Sequence, residues 1–266
     1  MDLFTFTPGT TPLLVSIPHA GTEVPEPILD RLTPEARELP DTDWHVDRLY
    51  DFAGELGANV LKATHSRYVI DLNRPPDDTS LYPGQATTGL VPATFFDGRP
   101  LYRDGQEPNG GEIAERRETY WRPYHDFLAE RLDRLKAEFG YALLYDAHSI
   151  RSRVPRLFDG RLPDFNIGTG GGRSAKPALT IRLALICQGA EGFETAVNGR
   201  FKGGHITRHY GDPDGGVNAV QMEIAQDAYM DENPPWTYQT VKAERVRQVL
   251  RQVLERTLEW GRKEYG

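Results

Sequence analysis

A chain of 266 residues, 38% hydrophobic and 26% charged, has apolar material for one large core, and its composition forces no split into two domains. Its formal net charge of −8 argues against a general nucleic-acid binder, which needs accumulated Lys and Arg, and favours a small-molecule partner. No segment approaches a membrane-spanning apolar run, and the opening MDLFTFTPGT has neither the cationic nor the apolar region of a signal peptide, so the expected location is cytoplasmic.

The predicted elements alternate. Leu13 to Ile17 is a short apolar run ending in PHAG, which places His19 at a strand end beside a glycine turn. Val46, Leu49, Tyr50, Ala53 and Leu56 recur at helical spacing, with Thr42 or Asp43 as the N-cap and Gly57 as the stop. Strands follow at Asn59 to Ala63 and Tyr68 to Leu72. From Pro75 to Gly111 the chain is rich in Pro, Gly, Asp and Thr and reads as a long loop near the site, suited to act as a lid. A helix from about Ile113 to Phe139 aligns Tyr120, Tyr124, Phe127, Leu128, Leu132 and Leu135 before Gly140. Further strands are expected at Tyr141 to Tyr145, Asp164 to Ile167 and Val217 to Ile224, and helices at Pro177 to Cys187 and Val241 to Trp260. The single cysteine, Cys187, rules out an internal disulfide and suits a buried helix position. This alternation predicts one three-layer α/β/α domain over residues 1–266 with a mostly parallel, mixed sheet.

Three groups of polar residues fall where such a topology gathers chain segments. His19, Asp47 and His148 supply two histidines and a carboxylate, the ligand set of many hydrolytic zinc sites, although Asp47 equally suits a helix cap. Arg67, Asn73 and Arg74 flank an apolar run and suit a substrate carboxylate, or a surface salt bridge. Glu223 sits among Val217, Ala219, Val220, Met222 and Ile224, where a general base beside a metal-activated water, or a glutamate paired with an arginine, accounts for it. The segment FKGGHITRHYGDPDGG, Phe201 to Gly216, has the composition of a ligand-contacting loop.

Taken in order, SIPHAG, TDWHVDRLYDFA, SRYVIDLNRP, YDAHS, FKGGHITRHYG and VQMEIAQDAYM resemble the N-formylglutamate amidohydrolase family, from the first strand to about Met230. The resemblance implies a fold similar to the zinc carboxypeptidases and hydrolysis of N-formyl-L-glutamate to formate and L-glutamate, the last step in one bacterial route of histidine degradation. It implies one divalent metal, zinc, on His19, Asp47 and His148, with Asp43 and Glu23 as alternatives for the second ligand. Glu223 takes the position of the catalytic carboxylate, and Arg67 that of the oxyanion-stabilising cation. Asn73, Arg74, Arg208 and His209 are the implied readers of the dicarboxylate substrate. The competing enzyme reading is a zinc amidase or carboxypeptidase acting on another N-acyl amino acid or peptide. A non-catalytic carboxylate-binding protein is the reading from another class.

Overall fold

The computed structural model describes residues 2–266. Its seven-stranded sheet contains β1 (Phe4–Thr7), β2 (Leu13–Ile17), β3 (Asn59–Ala63), β4 (Ala142–Ile150), β5 (Phe165–Gly168), β6 (Thr195–Val197) and β7 (Val217–Ala225), in the order β1-β3-β2-β4-β7-β5-β6. The central pairs β3/β2, β2/β4 and β4/β7 are parallel, as is β5/β6, while β1/β3 and β5/β7 are antiparallel. Every residue of β2, β4 and β7 is buried, which is why these strands read as nearly continuous apolar runs.

The helices are α1 (Glu26–Leu29), α2 (Val46–Leu49), α3 (Gly110–Arg116), α4 (Arg122–Phe139), α5 (Pro177–Gln188), α6 (His205–Tyr210) and α7 (Thr240–Tyr265). Leu13, Val15, Leu143, Tyr145 and Met222 pack on one face of the sheet against Leu49 of α2, Leu183 of α5 and Val246 and Leu250 of α7. Leu14, Leu61, Leu144 and Ala219 pack on the other against Tyr124, Leu128 and Leu132 of α4 and Ile206 of α6. The two-residue period of a strand thus sorts β4 and β7 into alternate faces, and the expected three-layer α/β arrangement with a mostly parallel, mixed sheet results. Cys187 is buried in α5, and burial pushes its thiol up to about 12.

Four local expectations are revised. Tyr68 to Leu72 is no strand: Val69 N–H donates to Ser66 O and Arg74 N–H to Asp71 O, so the segment coils in turns whose apolar side chains are buried beneath the site. The helix from Val46 ends after one turn and continues as a 3-10 segment, Asp51–Leu56, stopped as expected by Gly57 at φ 71. The long helix starts earlier, at Gly110, and widens into a π turn at Arg117–Trp121; Pro123, which has no N–H to continue the ladder, begins the regular helix beyond it. Strand β4 extends to Ile150, so His148 lies within a strand rather than after one. The elements β1, β6, α1 and α6 carry too few residues to give a periodic signal. Within the long segment 75–111, Leu90 and Val91 join the α4 core, and Phe95, Leu101 and Tyr102 build a smaller core with Leu32, Ala36 and Tyr68.

Candidate metal centre and catalytic cleft

The carboxyl ends of the three central strands converge here, where open α/β sheets place their ligands. Beyond β2, the chain turns at Gly21, whose missing side chain lets it approach the Thr64 and His65 backbone; an added Cβ would meet it at 2.4 Å. His19 is thereby held at the strand end. On β4, Asp146 and His148 alternate onto the α4 face with Leu144, and on β7, Gln221 and Glu223 do so with Ala219. His148 and Glu223 are register partners. Asp43 enters from the segment before α2: its N–H donates to His19 O at 3.1 Å, and two residues later His45 takes φ 63, turning the chain away.

His19, Asp43 and His148 are all buried, with ligand atoms within 4.8 Å of one another. His19 Nε2 lies 2.8 Å from Asp71 Oδ1, which leaves Nδ1 facing Asp43 Oδ2 at 3.8 Å with no hydrogen-bond partner. His148 lies between two carboxylates, Nδ1 3.0 Å from Asp43 Oδ2 and Nε2 3.0 Å from Asp146 Oδ2. Burial depresses the pKa of both rings. In His19 burial prevails, supported by Arg67, whereas Asp146 and Asp43 raise His148 well above its usual range. Burial also opposes ionisation of Asp43, but Arg67 and the two histidines hold its pKa below the ordinary carboxylate value. Two neutral-capable imidazoles, each backed by a carboxylate and each turning Nδ1 toward one ionised aspartate, form a donor set that fits a divalent cation such as zinc.

Beside this cluster lies a cleft of about 600 Å³, including its open mouth, lined among others by Arg67, Arg74, Arg200, Tyr82, Phe96 and Glu223. Glu223 is buried, and its Oε2 accepts from Gln221 Nε2 at 3.1 Å. Burial is the main reason its pKa is pushed up to about 8; His148 and Arg67 oppose the shift, while Asp43 and Asp146 add to it. Arg67 pairs with Asp43 and lies 3.8 Å from Asp71 Oδ2, and these carboxylates outweigh burial and raise its pKa. Asn73 Nδ2 donates to Asp146 Oδ2 at 3.1 Å and closes on His148 Nε2 at 2.8 Å, while its Oδ1 accepts from Ile206 N at 2.8 Å. Gly204 packs against that amide at φ −85, and an added Cβ would fall 2.4 Å from Asn73 Cγ.

The structure separates some residues that the sequence grouped. Asp47 lies at the surface, 40% exposed and paired with Lys62 at 2.9 Å; the chain turn at His45 directs Asp43, not Asp47, to the strand ends. Glu23 forms an isolated backbone bridge with His65 and is not among the clustered donors. Arg208 donates to the Gly203 and Leu81 carbonyls, and His209 is exposed and stacked on His205; neither lines the cleft. Arg67, Asn73, Arg74, His148, His19 and Glu223 do line it. Sequence reasoning missed Asp71 and Asp146 behind the histidines, although IDLNR and YDAHS place each within two residues of a candidate already chosen. Arg200, in the aperiodic stretch VNGRFKGG, gave no such signal.

The sequence model of the N-formylglutamate amidohydrolase family matches residues 11–230. An N-formylglutamate deformylase of Pseudomonas aeruginosa is 58% identical over 265 residues, covering 100% of this chain and 99% of that protein. One from Pseudomonas putida is 55% identical over 263 residues, covering 99% and 98%. The crystal structure of an N-formylglutamate amidohydrolase from Ralstonia eutropha superposes with a TM-score of 0.84 at 26% identity, over 99% of this chain and 100% of that one.

Proposed function

The chain belongs to the N-formylglutamate amidohydrolase family, and from that premise we propose that its cleft hydrolyses the amide C–N bond of N-formyl-L-glutamate, releasing formate and L-glutamate, with a divalent metal, zinc, held by His19, Asp43 and His148. The observation that carries the metal assignment is the buried, unpartnered Nδ1 of His19, aimed at the same Asp43 oxygen as His148 Nδ1. A divalent cation there would acidify water and polarise the formyl carbonyl.

The chain's own residues supply the rest. Asp71 and Asp146 fix the outer edges of the two imidazoles, so that both inner nitrogens face one point. Glu223, beside His148 in the sheet register, is the base that takes a proton from the attacking water and returns it to the glutamate nitrogen as the C–N bond breaks. Its raised pKa suits a group that must hold that proton between the two steps, and a cation beside it would draw the pKa back toward neutrality. Arg67 supplies positive charge at the same end of the cleft, where negative charge gathers on the formyl oxygen. Arg74, fixed by its Nε and Nη2 bonds to Thr88, receives the α-carboxylate, and Asn73 serves as a positioning residue for His148.

A cytoplasmic location and a place at the end of histidine degradation accompany this reading; no helix among the described residues is long and apolar enough to cross a membrane. The test is formate release from N-formyl-L-glutamate by the purified protein, before and after chelation. Activity that is unaffected by removing all bound metal would refute the metal-dependent scheme.

A further inference from the structure

The cleft holds three guanidinium groups, and they are not equivalent. Arg67 pairs with Asp43 and lies 3.8 Å from Asp71 Oδ2. Arg74 lies 4.0 Å from Asp71 Oδ2. Arg200 pairs with no carboxylate of the described residues. Its Nε donates to Leu157 O at 2.6 Å and its Nη2 to Ala86 O at 3.0 Å, which fixes the plane of the fork and leaves Nη1 without a protein acceptor. The group is half-buried, with Tyr82 and Phe201 against it at 5.3 Å. Burial and the nearby Arg74 both work against its charge, opposed by Tyr82 and Glu223, and the net effect lowers its pKa. A fixed, partly desolvated cation beside another, with one Nη left without a protein acceptor, is stabilised by an anion that enters the cleft.

Its position identifies which anion. Arg74 adjoins Asn73, whose amide touches His148, so this pair stands at the metal end of the cleft. Arg200 is tied instead to Ala86 and Leu157, in segments that carry none of the clustered metal donors. In an N-acylglutamate the α-carboxylate is attached to the carbon bearing the scissile nitrogen, and the γ-carboxyl carbon stands three carbon–carbon bonds from that same carbon. We propose that Arg200 receives the γ-carboxylate and selects a glutamyl side chain over neutral ones of equal length. This assignment rests on the reading that the substrate is N-formyl-L-glutamate, and it replaces Arg208 and His209 in that task.

The test compares kcat/KM on N-formyl-L-glutamate and on its neutral isostere N-formyl-L-glutamine, for the metal-loaded wild type and for Arg200→Met. A charge-assisted contact predicts roughly a 10- to 100-fold loss on the glutamate compound, chiefly in KM, against about threefold or less on the glutamine compound. Arg74→Met should instead weaken both substrates, which share the α-carboxylate. Equal losses on the two substrates for Arg200→Met would overturn the proposal, as would a wild type that does not distinguish them. If Arg200→Met melts early, Arg200→Lys, which keeps the charge and the stem, carries the same comparison and should retain part of the preference. A wild type that releases no formate from N-formyl-L-glutamate refutes the substrate reading itself, and the assignment of Arg200 with it.

Discussion

His148 and Glu223 face each other across the parallel pair β4/β7 as register partners, so a proposed metal ligand and the proposed base are held by the same ladder of backbone hydrogen bonds. Their separation is therefore set by strand spacing and not by loop conformation.

This rigidity permits a clean substitution. Glu223→Gln preserves the shape of the side chain and an oxygen to accept from Gln221, while removing the proton acceptor. We expect metal content and melting temperature to stay close to wild type and kcat to fall by about 10²- to 10⁴-fold. Formate release measured alongside metal analysis checks both halves; retained turnover would remove Glu223 from the chemistry.

Asp43 and Asp47 offer a paired comparison. Asp43→Asn keeps an acceptor for the Ser149 N–H but removes the charge facing both histidines, and should weaken zinc binding by more than about a hundredfold, beyond what the loss of a supporting contact does. Asp47→Asn breaks only an exposed pair with Lys62 and should leave zinc affinity unchanged. Zinc titration of the chelated proteins separates them, and a loss confined to Asp47→Asn would reverse the assignment.

Metal removal should abolish activity without unfolding the chain. The two large cores are built from apolar side chains and include none of the three ligands, so folding does not wait on the cation. Circular dichroism after chelation is expected to retain the native spectrum, with a lower melting point because ligand binding to the folded state alone stabilises it. Loss of secondary structure on chelation would show instead that metal and fold are coupled.

His125 predicts a pH dependence of stability. It is enclosed by Trp121 at 3.7 Å, Tyr124, His205 and Tyr210, and its Nε2 lies 2.8 Å from Leu72 O. Burial, aided by His205 and His209 and opposed by the Leu72 carbonyl, lowers its pKa to about 3. Between that value and the unfolded value near 6.5 the unfolded chain binds the extra proton, so stability falls as pH falls through this window and is unaffected above it. At about pH 4.5 the penalty is on the order of 2–3 kcal/mol. Urea melts at neutral and acid pH should show a shallower acid loss for His125→Gln; identical slopes would contradict the buried-neutral assignment.

His209→Ala removes an exposed ring that does not line the cleft, and kcat/KM on N-formyl-L-glutamate should stay within about twofold of wild type. A loss of tenfold or more would return His209 to the substrate site.

The sequence was most legible where burial is two-sided. The apolar runs of β2, β4 and β7 signalled strands, and polar residues within or just beyond them, His19, His148 and Glu223, stood out against that background. It misled where burial and regular structure part company: Tyr68, Val69, Ile70 and Leu72 are as buried as a strand yet lie in turns. Asp47 is favoured when HVD is read as opening a helix over Val46 to Leu56, with Thr42 or Asp43 as its cap and the Asp47 side chain toward the strand ends. The left-handed backbone at His45, which periodicity does not encode, leaves Asp43 at the strand ends and Asp47 at the surface. Arg200 was unreadable because its place comes from carbonyls of residues 86 and 157, contacts that no local pattern announces.

The joint between Gly204 and Asn73 bears on how this sequence can drift. Gly204 has an ordinary φ, so its backbone would admit any residue, but the amide of Asn73 forbids a side chain there. Neutral variation at this glycine is thus closed by a neighbour far away in the chain. In a library of random variants selected for turnover, Gly204 should be as intolerant of change as a residue that touches the substrate. The record left by selection would therefore mark a cleft position for its fit against Asn73, and reading it correctly requires that contact.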